Sequence, residues 1–173
     1  MTQSEQSSLL QDLKTGDLTA RRNAVEKLVA DGAKSIEPLT DLLAEDVDND
    51  TRWYTARALA AIGPASIEPL CTLIIAVPDD NVRRYAATAL GEIGEPAIPQ
   101  LMELLIIEDE SIRGIAALAL RKIGKPAVAP LKAMMGEGDE HKRRCAGMTL
   151  YMMESIGAEA ILNHYTEEEK AKK

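Results

Sequence analysis

His141, Cys145, Met148 and Met152 are spaced by 4, 3 and 4 residues, so a helix would carry all four on one face. Imidazole and soft sulfur together make a donor set for Cu(I) or a related ion. Cys145 also follows Arg143 and Arg144, a setting that favours thiolate, but no His-Asn or His-Asp pair is visible to make it a nucleophile. His141 taken alone reads as a surface residue in the first turn of a helix. Cys71 and Cys145 lie 74 residues apart with no CxxC pair, which excludes a zinc ribbon, an iron–sulfur cluster and a secreted disulfide scaffold. No GxGxxG, P-loop, HExxH or GxSxG string occurs, so the standard cofactor and hydrolase chemistries have no motif to rest on.

A chain of 173 residues has the length of one domain, with a core that needs no staples. Lys and Arg total 20 against 28 Asp and Glu, and a net charge of −8 excludes nucleic acid as the expected partner, because that affinity depends on cationic side chains. The purely apolar run Leu73 to Val77 is too short to cross a bilayer, and the opening MTQSEQSS lacks the basic residues of a secretion signal. The expected location is the reducing cytoplasm, with no membrane contact.

Aromatics at 3% and abundant Ala, Leu and Ile suit packed helices better than sheets. Internal repetition carries the fold. RALAAIGPASIEPLCTLI, ALGEIGEPAIPQLMELL and LALRKIGKPAVAPLKAMM superimpose Gly63, Gly94 and Gly124, and KLVADGAKSIEPLTDLL adds Gly32, in steps of 31, 31 and 30. Arg21, Arg52, Arg83, Arg113 and Arg143 recur at the same spacing, each followed seven residues later by Leu28, Leu59, Leu90, Leu120 or Leu150. Past each glycine, Ile36, Ile67, Ile98 and Val128 begin an i, i+3, i+6, i+7 stripe continued by Leu39, Leu70, Leu101 and Leu131. Each unit therefore reads as two helices. The first is capped near Asp17, Asp50, Asp80, Asp109 or Asp139, faced with Ala24, Ala86, Ala116 and Ala146, and stopped by the glycine in left-handed backbone. The second opens near Pro38, Pro69, Pro96, Pro126 or Pro130.

The expected fold class is all-α, a right-handed α-solenoid of stacked helical hairpins with repeats of 30–31 residues. Residues 1–16 form a cap helix with Leu9, Leu10 and Leu13 on its apolar side, 17–157 form about five units, and 158–173 form a C-terminal cap segment and polar tail. The fifth unit is irregular, because Gly157 arrives three residues after the expected position at Glu154.

These strings resemble the short HEAT-like repeats of phycobilisome-lyase-type proteins, whose units carry vR..A..aLg.iG followed by..av..L...L, over roughly residues 17–157. The resemblance implies one of several roles: protein-binding scaffold, chromophore-lyase subunit, metal hydroxylase or DNA glycosylase. A hydroxylase of the deoxyhypusine type would place His-Glu dyads directly after each repeated arginine. Here those positions read Arg22-Asn23, Trp53-Tyr54, Arg84-Tyr85, Gly114-Ile115 and Arg144-Cys145. A glycosylase would present a basic surface, whereas the second helices carry Glu37, Asp41, Glu68 and Glu103.

The repeat also bears on the sulfur stripe. Positions matching Cys145, Met148 and Met152 read Asn23, Glu26, Ala30 in the first unit and Ile115, Leu118, Lys122 in the fourth. The face turns apolar toward the carboxyl end, so it reads as a surface covered by Ile161, Leu162 and Tyr165 or by another chain, and neither metal nor cofactor is assigned. The five arginines, each beside an Asp-rich turn, read as a structural ladder.

In this repeat class the second helices line the concave side, so a partner would sit on their outward positions. Glu37, Thr40, Asp41 and Ala44 are the outward set of the first unit. LIIAV at 73–77 and LLII at 104–107 make the next two helix ends apolar around their circumference. The expected partner-binding site is therefore Glu68, Cys71, Thr72, Ile75, Met102, Glu103 and Ile106, an apolar floor with an acidic rim. Its natural ligand is a helix or extended peptide with basic flanks; self-association through the same patch would give a homo-oligomer. Trp53, Tyr54, Arg57, Arg84 and Tyr85 form a second, convex candidate. The expected function is a non-catalytic protein–protein interaction scaffold. The lyase-like alternative is an accessory subunit in cofactor or chromophore attachment.

Overall fold

The computed structural model describes residues 1–137 and 139–153. The expected cover at Ile161, Leu162 and Tyr165 and the tail at 158–173 lie outside these residues. Two compact units divide the chain, Met1–Ile93 and Gly94–Lys173. The first contains α1 (Gln3–Thr15), α2 (Leu18–Asp31), α3 (Ile36–Ala44), α4 (Asn49–Ile62), α5 (Ile67–Ala76) and α6 (Asp80–Ile93). The second contains α7 (Ile98–Leu104), α8 (Glu110–Ile123), α9 (Lys125–Glu137) and α10 (Glu140–Met152). Among the described residues there is no strand.

Within the first unit α2 packs on α4 and α4 on α6, while α3 packs on α5, so like helices stack on like as in an α-solenoid. In the second unit α7 packs on α8, α9 on α10 and α8 on α10. The periodic columns explain this stacking. Leu28, Leu59, Leu90, Leu120 and Leu150 are fully buried, as are Leu39, Leu70, Leu101 and Leu131. Ala24, Ala86, Ala116 and Ala146 are also fully buried, their small side chains letting first helices approach closely. Thr55 fills the alanine column in the second repeat, and its hydroxyl donates to the Thr51 carbonyl at 2.7 Å, so its burial leaves no orphan.

Helix starts follow a stricter rule than the Asp-rich turns suggest. The capping carboxylates are Asp17, Asp48, Asp79, Asp109 and Asp139, each four residues before a column arginine; Asp48 and Asp79 replace the expected Asp50 and Asp80. Asp48 accepts from the Thr51 amide at 2.7 Å and Asp79 from the Val82 amide at 3.0 Å. Hydrogen bonds from these amides hold both carboxyls below their ordinary range, and the Lys142 amide does the same for Asp139. A carboxyl lowered in the folded state contributes stability above its unfolded pKa and loses it as pH falls through the folded value. Asp48→Ala is expected to cost about 1 kcal/mol at neutral pH, and the difference from wild type should close on acidification below about pH 4. Urea melts across pH check both points; a gap that persists in acid would overturn the capping account.

Helix ends also differ in detail. Gly63 has φ 88° and ψ −144°, and Gly32, Gly94 and Gly124 share this conformation. Their φ is positive as expected, but the ψ takes them outside the left-handed helical well into a region that is essentially glycine's alone. The chain then makes a 3-10 turn before α3, α5 and α7, so these second helices begin at Ile36, Ile67 and Ile98, two residues before Pro38 and Pro69 and two residues after Pro96. In the last hairpin α9 runs unbroken from Lys125, with Pro130 inside it.

Candidate protein-binding groove

In the first unit, α3 and α5 lie side by side and leave an open groove of about 710 Å³. Its apolar surface comes from Ile36, Ala44, Leu73, Ala76 and Val77, together with Ala33 and Pro69. Glu37, Asp41 and Glu68 supply its charge, and Thr40 and Thr72 its neutral polar groups. Repeat geometry produces this mixture: Ile36 and Leu73 are core residues whose edges reach the surface, and the carboxylates occupy the exposed positions beside them. Glu37 and Glu68 stand in the first turns of α3 and α5, where the helix dipole favours a carboxylate. None of the three carboxylates pairs with a Lys or Arg among the described residues. The groove thus presents apolar surface beside three uncompensated negative charges.

The expected site residues fall in different places. Glu68 and Thr72 line the α3–α5 groove. Cys71 does not stand outward: it is buried with only 8% of its surface exposed, because a stacked helix meets neighbours on its flanks as well as its base. Ile75 is exposed at 51% but is not among the groove's lining residues. Met102, Glu103 and Ile106 line a separate hollow in the second unit with Pro130, Ala133, Met134 and Lys142. The LLII run is not a helix end apolar on all sides: α7 stops at Leu104, and Leu105 is buried in the following turn. Ala44 and Ala76, which set the width at the helix ends, and the acid cluster on α3 are the groove features a search centred on the isoleucines passes over. The concentration of Glu37, Asp41 and Glu68 on two adjacent second helices was the available signal.

The arginine column has a structural use. Arg52 is buried and donates to the Val47 and Glu45 carbonyls at 2.7 and 3.0 Å, just past the end of α3. Arg21 donates to the Lys14 carbonyl in the last turn of α1 and to the Gly16 carbonyl just past it, Arg83 to the Ile74 carbonyl in α5, and Arg113 to Ile107 and Glu108 carbonyls after α7. Each guanidinium ties down carbonyls at the end of the preceding helix: in the last turn itself for Lys14 and Ile74, and in the loop just past it for Gly16, Glu45, Val47, Ile107 and Glu108. Arg21 also pairs with Asp50 at 3.5 Å and with Asp48 at 3.9 Å.

On the first helices, Trp53 is 42% exposed, meets the Tyr54 ring edge-on at 4.7 Å and lies under the Arg57 guanidinium at 4.7 Å. Arg21 approaches the Tyr54 ring at 5.7 Å. These cations are engaged with the rings of their own chain.

Hairpins built on one capping Asp, one arginine, one terminal glycine and two leucine columns, repeated in series, define an α-helical repeat protein. The repeats are HEAT-like: residues 67–150 match the family model described as HEAT repeats. No curated protein matches the chain. It is similar to a solved complex of CpcE and CpcF of phycocyanin lyase from Nostoc sp. PCC7120, at 22% identity, with 84% of this chain and 98% of that chain covered and a TM-score of 0.46. It is similar also to a designed armadillo repeat protein in complex with the peptide (KR)4, at 19% identity, covering 94% of this chain and 91% of that one with a TM-score of 0.36. Among the described residues no helix is long and apolar enough to cross a membrane.

Proposed function

We propose that the protein is a non-catalytic interaction scaffold whose α3–α5 groove receives a partner's peptide segment, apolar at its centre and basic at its flanks. The observation that carries this reading is the pairing of an apolar channel with Glu37, Asp41 and Glu68, none of which has an ion-pair partner among the described residues. Apolar side chains of the partner enter beside Leu73 and Ala76, and its lysines or arginines neutralise the carboxylates. The hollow at Met102, Glu103 and Ile106 offers a similar combination in the second unit and is a further place for a partner side chain.

The test is fluorescence anisotropy with a labelled synthetic peptide that has a leucine-rich centre and lysine flanks. Wild type should bind it, with affinity falling as salt rises, since the charges are exposed and screened. Replacing Glu37, Asp41 and Glu68 together by Lys should weaken binding about 30-fold or more, from three lost exposed pairs plus the repulsion that replaces them. Equal binding of a glutamate-flanked peptide, or an unaffected triple variant, would refute the reading. Sedimentation of the protein alone detects self-association through the same groove.

A further inference from the structure

We propose that α10 carries a soft-metal site in which Cys145, His141 and Met148 hold one Cu(I) ion. None of these residues belongs to the groove of the preceding section. The first support is a distance. The Cys145 Sγ lies 3.7 Å from the His141 Nε2. Metal–sulfur and metal–nitrogen bonds of about 2.3 and 2.0 Å, meeting at the roughly 110–120° of a tetrahedral or three-coordinate ion, separate the two donors by about 3.5–3.7 Å, so the hydrogen-bonded pair stands at the wide end of that range. Sulfur and imidazole already stand at the separation that a shared ion requires.

The second support is a hollow beside the thiol. Cys145, Met148 and Met152, with Arg144 and Thr149 of the same helix, line a space of about 320 Å³ whose opposite wall is α8, at Glu110, Arg113, Gly114 and Ala117; His141 is not among its lining residues and meets the thiol from outside it. Gly114 opens it. The equivalent repeat positions hold Arg22, Trp53, Arg84 and Arg144, whereas a Cβ built at Gly114 meets nothing within 4 Å. The repeat has lost one large side chain where sulfur-bearing residues gather opposite.

The donor chemistry then selects the ion. Thiolate and thioether select Cu(I) over hard cations, and imidazole also suits copper. Met148 stands 63% exposed three residues after Cys145, and its unbranched chain can swing to the ion. Met152, 40% exposed one turn further on, is the reserve thioether. The His141 Nε2 also faces the Ile106 carbonyl at 3.3 Å. Binding the metal through Nε2 places the ring proton on Nδ1 and releases that contact.

Anaerobic titration with Cu(I) against the chromogenic chelator bicinchoninate tests the site. Wild type is expected to retain one equivalent of copper. Cys145→Ser should lose affinity about 100-fold and Met148→Leu about tenfold, while Cys71→Ser should bind as wild type does. Silver(I) offers a redox-inert check, since it should shift the His141 ring signals in a nuclear magnetic resonance spectrum of wild type and leave those of Cys145→Ser unmoved. Release of all the copper by wild type, or equal retention by Cys145→Ser, overturns the proposal. If circular dichroism shows that Cys145→Ser is misfolded, Met148→Leu decides: at an exposed position it leaves the fold intact, and an unchanged affinity would refute the site.

Discussion

Arg52→Met is expected to remove about 3–5 kcal/mol of stability, a large share of the roughly 5–15 kcal/mol that holds a typical domain together. Methionine keeps much of the apolar stem but none of the donors. Arg52 is 7% exposed, and its guanidinium supplies two hydrogen bonds, to Val47 and Glu45, at the point where the chain leaves α3 for α4. A hydrogen bond from a charged donor contributes about 1.5–3 kcal/mol, and the substitution abandons two carbonyls together. Arg52→Lys should recover less than half, since one ammonium cannot reproduce a fork that reaches two oxygens. Urea melting reads the loss, and amide exchange in α4 should rise with it. A cost under about 1 kcal/mol would mean that the carbonyls find water and that the column does not hold the helix ends.

Much of this architecture is legible in the spacing of residues. The leucine columns and the glycine stops recur once per hairpin, as does the small-residue face, with Thr55 in place of alanine in the second, and each proves to be a contact or a backbone state that the hairpins share. The true caps were legible too: an Asp four residues before each column arginine, at 17, 48, 79, 109 and 139, keeps the repeat period, while Asp50 and Asp80 do not. Side-chain partners are less visible. Nothing in the spacing says that Arg52 turns to carbonyls and not to a neighbouring Asp, because that depends on where the preceding helix ends.

Exposure was overestimated for a related reason. On an isolated helix, four positions per second helix face outward; in the stack, the column of Thr40, Cys71, Met102 and Lys132 is partly or fully buried. The columns of Glu37, Glu68, Pro99 and Ala129, and of Asp41, Thr72, Glu103 and Ala133, are the ones exposed throughout. Flanking helices narrow the free arc, and the binding chemistry is confined to what remains. Ser35 and Ser66 show the same constraint inside: their hydroxyls are buried without a hydrogen-bond partner, at positions filled by Ala97 and Ala127 elsewhere. Size, and not polarity, is what that column requires.

Ala76→Trp should abolish most peptide capture by shape alone. Ala76 is exposed and lines the α3–α5 groove, so an indole there occupies the channel that partner side chains would use. Affinity for the lysine-flanked peptide is expected to fall about 100-fold, whereas stability should stay within about 0.5 kcal/mol because the new side chain projects from the surface. Its residual binding should keep the wild-type salt dependence, since the three carboxylates remain, while the charge-reversed variant should lose that dependence or invert it. Ile75→Glu gives the contrasting case: the residue is 51% exposed but lies outside the groove lining, so capture should be unchanged or slightly improved by the added charge. Loss with Ile75→Glu and retention with Ala76→Trp would move the contact surface off the groove and back to the exposed isoleucine. The opposite pattern would make the small residue, and not the large apolar one, the feature that leaves room for a partner.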